Sequence, residues 1–470
     1  MNNKQHVHFI GIGGSGMNGI AAILLGLGYR VTGSDLKPSA VTERLDALGA
    51  SCYIGHAAEN LAGADLVVAS TAIPSTNVEL VEAKKRGLPL AHRSEMLAWL
   101  MSRQKGIAIA GAHGKTTTTS MAALVFEKNG LDPTIVIGGE LTYIGGNAKL
   151  GRGEYMVAEA DESDGSFLTL DPFIEVITNI EDDHLDYYKN VENVVAAFRK
   201  FLSKVPGDGL AVLCLDDPRI RELLAECSGH YLTYAIDNPE ADYQMNNIQL
   251  KKNVTAGDVY HRGEFLGKLR LNVPGRHNLL NALAVVAVGR FVGLSFEAIA
   301  STLGSFSGAG RRFQLTGEVC GIKVIDDYAH HPTEIKATLK AARQVKNGRI
   351  VGVFQPHRYT RTSILGEQFG AAFKDADVII VSEIYSAGER PIEGVSAKTI
   401  ISAIEKHGGQ EVIYLPTREE IVEHLLLTVR PGDMILTMGA GDIYNAGVEL
   451  VHRLKERQRI DLCSLLPGAK

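Results

Sequence analysis

The chain has 470 residues, enough for about three domains at roughly 150 residues each, and its 45% hydrophobic and 22% charged content is that of an ordinary globular protein. A formal net charge of -6 argues against nucleic acid as a partner, because a phosphate-backbone binder carries a basic surplus. Five scattered cysteines (Cys52, Cys214, Cys227, Cys320, Cys463) fit neither a disulfide framework nor a zinc site; no signal core opens the chain and no apolar run is long enough to span a membrane, so the expected location is the cytoplasm.

The first segment opens with an apolar, β-branched run over residues 6–12, then a glycine turn, then a helical pattern over residues 17–27. A second strand, "YRVTGSD", ends at Asp35, and strands at 65–70 and near 88–91 extend a parallel sheet to about residue 104. In "GIGGSG", Gly11, Gly13 and Gly16 match G-x-G-x-x-G, follow a strand, open a helix and precede Asp35 at a distance suited to a ribose. The backbone can therefore approach a diphosphate, whose charge a helix N-terminus favours. Taken alone, this pattern reads as an NAD site; the other reading is a glycine turn used only for tight strand-helix packing.

The second segment starts with a strand over 106–110, runs into "GAHGKTTTTS" and continues as a helix over 117–129. Strands follow at 155–159, 173–178 and 209–215, then an antiparallel stretch near 243–271, a helix over 279–291 and the connector "SFSGAGRRF". Backbone amides from Gly111 to Thr116 can cradle terminal phosphates, Lys115 brings a point charge to them, and the Thr116 hydroxyl can hold Mg²⁺. The loop is shorter than the usual lysine-loop form, since Ile109 stands where that form has glycine. Glu159 and Asp161 in "EADESD" and His184 in "NIEDDHLD" follow at strand ends, an oxygen-rich set that suits Mg²⁺. An acid run is otherwise a solvated loop, but ligands of open α/β sheets sit at strand ends.

The third segment alternates strands "KVIDDY", "RIVGVF", "DVIIVS", "EVIYL" and "DMILTMG" with helices over 332–345, 397–407 and 418–428, and its polar tail after Glu456 is expected to fray. Two dense clusters begin at strand ends, "DDYAHHP" and "FQPHRYTRT". Tyr328, His330, His331, His357, Arg358 and Arg361 could converge on one crevice, where the arginines suit a carboxylate or phosphate. Each histidine, taken singly, could equally be hydrogen-bonded structure.

Together, "GIGGSGMNGIA", "GAHGKTTTTSM", "EADESDGSF", "NIEDDHLDYY", "GRHNLLNALA", "GAGRRF", "DDYAHHP" and "FQPHRYTRT" resemble the ATP-dependent Mur ligases of peptidoglycan precursor synthesis, over nearly the whole chain and in the family's order. The resemblance implies that the first glycine loop holds the UDP of a sugar substrate and the lysine loop holds ATP, which displaces NAD. It implies transfer of the γ-phosphoryl group to the lactyl carboxylate of UDP-N-acetylmuramate, then attack of an acceptor amine on the acyl phosphate. "FQPHRYTRT" resembles the members that take L-alanine rather than the recycling members that take a whole peptide.

By the same resemblance Gly111, Ala112, His113, Gly114, Lys115, Thr116 and Thr117 face ATP, with His277, Asn278 and Asn281 on the adenine side and Arg312 reaching in from the linker. Thr116, Glu159 and His184 match metal positions. Gly13, Gly14, Ser15, Gly16, Asp35, Ser70, Thr71, Asn77, His92 and Arg93 fall in stretches lining the UDP-sugar site. Tyr328, His330, Arg358 and Arg361 match the region that orients L-alanine; the catalytic set is Lys115, His184, His330, Arg358 and Arg361. Two positions depart from the pattern: Ala112 replaces a frequent threonine, and Arg199 followed by Lys200 stands where sister ligases carry a carbamylated lysine, so the modification is not carried over. The expected fold is α/β with three domains, each on a mostly parallel open sheet: Rossmann-like over 1–104, P-loop ATPase-like over 105–312, and Rossmann-like over 313–470. Ligands between domains imply closure on substrate. Against this stand an NAD-dependent oxidoreductase and a nucleotide sensor without chemistry; oligomeric state is not legible.

Overall fold

Three sheets organise the computed structural model, which describes residues 5–225, 229–252, 254–346, 348–407 and 410–464. The chain forms two compact units: Met1–Asn247 with Gly257–Arg270 and Leu280–Ala309, and Ile248–Ala256 with Leu271–Leu279 and Gly310–Lys470.

In the first unit lies a five-stranded parallel sheet in the order Ser51–Ile54, Arg30–Asp35, His6–Ile10, Leu66–Ala69, Leu90–His92. The strand order reverses at His6–Ile10, the point beyond which open parallel sheets bind their ligands. The glycine turn sits there: Gly11, at φ +76°, and Ile12 both donate to Ser34 O, at 2.8 and 3.0 Å, before the helix Ser15–Gly26 begins. Ser51–Ile54 escapes a sequence reading because it is a four-residue edge strand with little buried surface.

The second sheet has ten strands, in the order Glu264–Leu271, Val254–His261, Tyr243–Lys251, Tyr231–Ala235, Leu210–Cys214, Ile174–Ile177, Lys105–Ala110, Tyr155–Glu159, Thr134–Leu141, Gly146–Lys149. Its centre is parallel, with Lys105–Ala110 between Ile174–Ile177 and Tyr155–Glu159, and its last pair is antiparallel. That last hairpin receives the helix Ser15–Gly26. A Cβ on Gly19 would stand 3.1 Å from Ala148 and one on Gly26 3.0 Å from Leu150, so glycine is what permits the approach. Asn147 Nδ2 donates to Ser15 O at 2.6 Å, which ties the start of that helix to the second sheet.

The second unit carries a six-stranded sheet ordered Gln314–Val319, Ile322–Asp327, Met434–Met438, Ile350–Phe354, Val378–Val381, Glu411–Tyr414. Only its first pair is antiparallel. One face packs Ile335, Leu339, Phe369 and Ile400 of the helices Pro332–Val345, Tyr359–Gly370 and Ala397–His407. The other packs Ile421, Leu425, Ala446 and Leu450 of Arg418–Thr428 and Tyr444–Ser464. The last helix continues past Glu456 to Ser464, and the rest of the tail expected to fray lies outside the described residues. Cys52, Cys214 and Cys320 are free thiols; Cys227 and the side chain of Cys463 lie outside the described residues.

Two fully buried glutamates in the first unit meet opposite fates. Glu79 accepts from Ser34 Oγ (2.5 Å), Asn60 Nδ2 (2.6 Å) and Ala57 N (3.1 Å), with His8 Nε2 at 3.4 Å. Burial alone raises its pKa, but these hydrogen bonds overcome it and bring it to about 2. Glu175, in the middle of the strand Ile174–Ile177, has no partner on either oxygen, and burial raises its pKa well above the ordinary value. The signs follow. A depressed carboxyl stabilises the fold above the unfolded pKa and loses that contribution as pH falls through about 2. A raised one holds a proton that the unfolded chain releases, so stability declines as pH rises above the unfolded value of 4.5. Glu79→Gln is expected to cost about 3 kcal/mol at neutral pH, with the difference shrinking toward acid. Glu175→Met is expected to gain about 1–3 kcal/mol and to flatten the decline above pH 5. Urea denaturation across pH measures both, and a Met variant that is less stable than the parent at pH 7 rules out the neutral, unpaired carboxyl.

Candidate active site

The lysine loop is set by its entry strand and by two residues from the next strand's end. Ala112 N donates to Asn179 O (3.1 Å), while the Asn179 amide takes His113 N (2.8 Å) and gives to His113 O (2.9 Å). Thr178 Oγ1 donates to the same carbonyl at 2.6 Å. Gly111 has φ +131°, and a Cβ there would meet Thr178 Oγ1; Gly114 has φ +86°, and a Cβ there would stand 2.7 Å from Asn281 Oδ1. Only glycine makes this turn, which ends by opening the helix Lys115–Lys128 with Thr116 and Thr117 buried in its first turn.

Lys115 lies back into its own loop. Its Nζ donates to Gly111 O (2.6 Å), Ala112 O (3.1 Å) and Glu162 Oε1 (2.7 Å). Burial works against the ammonium, but Glu162, Asp161 and Glu159 outweigh it and hold its pKa above the ordinary lysine value. Glu162 is itself raised to about 7, by burial and by Asp161, with Lys115 pulling the other way. Its second oxygen is buried without a hydrogen-bond partner.

Beside it, Thr116 Oγ1 donates to Glu159 Oε1 at 3.0 Å, and Gly138 N to Glu159 Oε2 at 2.8 Å. His184, in the left-handed region at φ 57°, places Nε2 3.7 Å from Glu162 Oε1 and 3.5 Å from Asp183 Oδ2. A hydroxyl, several carboxylates and one imidazole, with a buried carboxylate oxygen unused, fit a hard divalent cation. Glu162 and Asn179 are the residues that motif reading passed over. Both lie inside the quoted runs, but nothing in one sequence says which member of an acid run turns inward.

The same acid loop faces the first glycine turn. Arg93, the first residue of the helix Arg93–Met101, lies over Gly16, where a Cβ would stand 2.8 Å from its side chain, and its guanidinium is 3.6 Å from Asp161. Thr71 Oγ1 donates to Asp164 Oδ2 at 3.1 Å. Gly13 N donates to Asp35 Oδ2 at 2.9 Å, so that carboxylate is turned onto the glycine loop. Gly14 is the N-cap of the helix that Ser15 begins, and Ser70 O accepts from Ile73 N at 3.1 Å. Asn77 and His92 cap the helices that follow them, Asn77 by accepting from Glu79 N and Leu80 N and His92 by accepting from Ser94 N. Sequence reasoning had no means to separate these caps from the residues around them.

In the second unit the two clusters do come together. The Tyr328 and His330 rings lie 5.5 Å apart, those of His330 and His357 5.8 Å, and Arg361 Nη1 is 3.1 Å from His357 Nδ1. His330 Nδ1 is 3.3 Å from Glu334. His331 stands apart from them in role, since it caps the helix Pro332–Val345 in a box closed by Glu334. The linker arginines divide similarly. Arg311 is fixed by Asp326 (3.0 Å) and the carbonyls of Gly439 and Gly441, while Arg312 lies over Tyr328 at 5.1 Å with Glu334 at 3.8 Å. His277 is exposed and Asn278 buried at the start of the helix Arg276–Phe291.

Gly114→Ala is expected to lower stability by about 1–3 kcal/mol, from left-handed backbone strain plus the encounter with Asn281. Denaturant unfolding reads this directly; an unchanged midpoint means that the loop relaxes at no cost.

Three family models match in order: the Mur ligase family catalytic domain over residues 6–105, the Mur ligase middle domain over 109–289, and the Mur ligase glutamate ligase domain over 311–441. A UDP-N-acetylmuramate--L-alanine ligase of Pelotomaculum thermopropionicum is 78% identical over 460 residues, covering 98% of this chain and 100% of the relative. Among solved structures, a UDP-N-acetylmuramate-alanine ligase from Thermotoga maritima matches with a TM-score of 0.83 at 31% identity, covering 96% of this chain and 99% of that one. A murein peptide ligase from Psychrobacter arcticus matches at 0.71 and 26%, covering 96% and 98%. The strand order, the paired glycine turns and these matches agree, and the chain belongs to the Mur ligase family.

Proposed function

We propose that the protein joins L-alanine to the lactyl carboxylate of UDP-N-acetylmuramate at the expense of ATP, releasing ADP and phosphate, in the cytoplasmic synthesis of peptidoglycan precursors. The observation that carries the reading is the single acid loop shared by two phosphate-suited turns: Asp161 and Asp164 face Arg93 and Thr71, while Glu162 and Glu159 hold Lys115 and Thr116. A chain with one dinucleotide site has no need of the second turn. The 78% identity to an L-alanine-adding relative favours that acceptor over a peptide. Domains spanning 1–104, 105–312 and 313–470 fit the three sheets.

The chemistry has to bring two anions together, a carboxylate and a triphosphate, and hold them in line. Gly13, Gly14, Ser15 and Gly16 receive the diphosphate of the UDP-sugar at a helix N-terminus, with Asp35, Ser70, Thr71, Asn77, His92 and Arg93 around it. Gly111 to Thr117 receive the ATP phosphates, Asn281, Asn278 and His277 the adenine side, and Arg312 approaches from the linker. Lys115 leaves Glu162 for the phosphate oxygens. Thr116, Glu159 and His184 would hold Mg²⁺, which supplies charge shielding on the triphosphate. The lactyl carboxylate oxygen bonds to the γ-phosphorus as the bond to ADP breaks. Arg358 and Arg361 take the carboxylate of L-alanine beside Tyr328. The alanine ammonium must shed a proton before its nitrogen attacks the acyl carbon, and His330, an imidazole beside Tyr328, is the base assigned to that step. Collapse of the tetrahedral adduct then expels phosphate.

Phosphate release from ATP with Mg²⁺ and UDP-N-acetylmuramate tests the reading, with candidate acceptors added singly. Release that requires L-alanine, gives the UDP-sugar-alanine mass, and drops by at least ~100-fold in Lys115→Ala supports it. Release only with a peptide acceptor reassigns the acceptor, and none with any acceptor overturns it.

A further inference from the structure

The acceptor cluster is built on a residue in an uncommon backbone conformation. Arg358 has φ 71° and ψ 141°, outside the regions open to most side chains, and as the N-cap of the helix Tyr359–Gly370 it makes no side-chain cap bond. The conformation is imposed by the connection after the strand Val378–Val381. Tyr385 N donates to Pro356 O and Arg358 N to Tyr385 O, both at 2.8 Å, and the His357 and Tyr385 rings stack 5.7 Å apart at 9°. Farther along the same connection Glu389 reaches the helix start. Its Oε2 accepts from Thr360 N (3.1 Å), its Oε1 accepts from Thr360 Oγ1 (2.7 Å), and Oε1 lies 3.8 Å from Arg358 Nη1.

This carboxylate does two things that Arg358 cannot do for itself. It satisfies a first-turn amide where the helix dipole favours negative charge. It also stands 3.8 Å from the guanidinium, on the side from which Thr360 is held, with side-chain exposures of 39% for Arg358 and 19% for Glu389.

We propose that Glu389 is a positioning residue for the acceptor amino acid, holding Arg358, and through Thr360 the helix turn that carries Arg361, in the orientation that receives the acceptor carboxylate. The proposal rests on the ligase reading above. Glu389→Ala removes both the cap and the charge; Glu389→Gln keeps an acceptor oxygen for Thr360 and removes the charge facing Arg358.

Steady-state kinetics with each substrate varied separate this role from a purely structural one. The expected result is a KM for L-alanine raised roughly 10- to 100-fold in Glu389→Ala and by about 10-fold in Glu389→Gln, with KM values for ATP and UDP-N-acetylmuramate within about twofold. The acceptor-free half-reaction, read as hydroxamate after hydroxylamine traps the acyl phosphate, should keep its parental rate. An unchanged alanine KM in both variants overturns the proposal, and so does an equal loss in the hydroxamate assay. Should the Ala variant fail to fold, the Gln variant decides alone. Should the parent use another acceptor, the same selective rise is expected for that acceptor, so an error in its identity is not mistaken for an error about Glu389.

Discussion

A lysine ammonium enclosed by its own loop is the constraint around which the first unit is arranged. Lys115 Nζ is bonded to two loop carbonyls and to Glu162, with Glu159 and Asp161 also within electrostatic reach. Three carboxylates around one cation leave the locality net negative, a poor site for a triphosphate unless further positive charge arrives with it. A divalent ion meets that need, and the unused Glu162 oxygen, the Thr116 hydroxyl and the His184 imidazole are donors of the kind such an ion takes. The pairing with Glu162 also keeps the ammonium ordered near the loop, so that a phosphate competes for a lysine already in place rather than one that must be ordered first.

The two glycine turns look alike on paper and differ in their surroundings. Each follows a parallel strand and opens a helix, and each uses positive-φ glycine to bring the backbone close. In the first, Asp35 is spent on Gly13 N, and Arg93 spans the gap to Asp161. A motif that fixes backbone geometry says that an anion binds; the side chains brought by distant strands say which anion, and with what beside it. That is why the glycine fingerprint on its own pointed to NAD while the complete set of motifs did not.

The same distinction governs how much could be read in advance. Buried parallel strands such as Val378–Val381 and Met434–Met438 were legible because nearly every residue in them is apolar. Edge strands such as Ser51–Ile54 and Gln314–Val319 were not, since their exposed residues carry no periodic signal. Within the site, Lys115, Thr116, Glu159 and His184 stood out by spacing from a strand end. Glu162, Asn179 and Glu389 did not, because each acts through a contact that only folding creates: Glu389 meets Thr360 from 29 residues away, and Asn179 meets His113 from 66. Caps carry the opposite ambiguity. His92, Asn77 and His331 carry site-like chemistry in site-like stretches, yet each also closes a helix N-terminus.

Backbone strain supplies an independent measure of where the fold serves something other than stability. Among the described residues, ten other than glycine have positive φ. Arg262 lies in the turn between Val254–His261 and Glu264–Leu271, where the chain must bend, and Asn247 lies inside the strand Tyr243–Lys251 of the same meander. Arg311, His184 and Arg358 are different: each is a long or ionisable side chain, each adjoins a sequence cluster chosen for its chemistry, and each is held by bonds from elsewhere in the chain or from an adjacent carboxylate. A helix at Tyr359 could begin from an asparagine or glycine without strain. An arginine stands there instead, held in this conformation by Tyr385 and beside Glu389, so the backbone at the helix start is fixed by a connection from another strand rather than by its own cap.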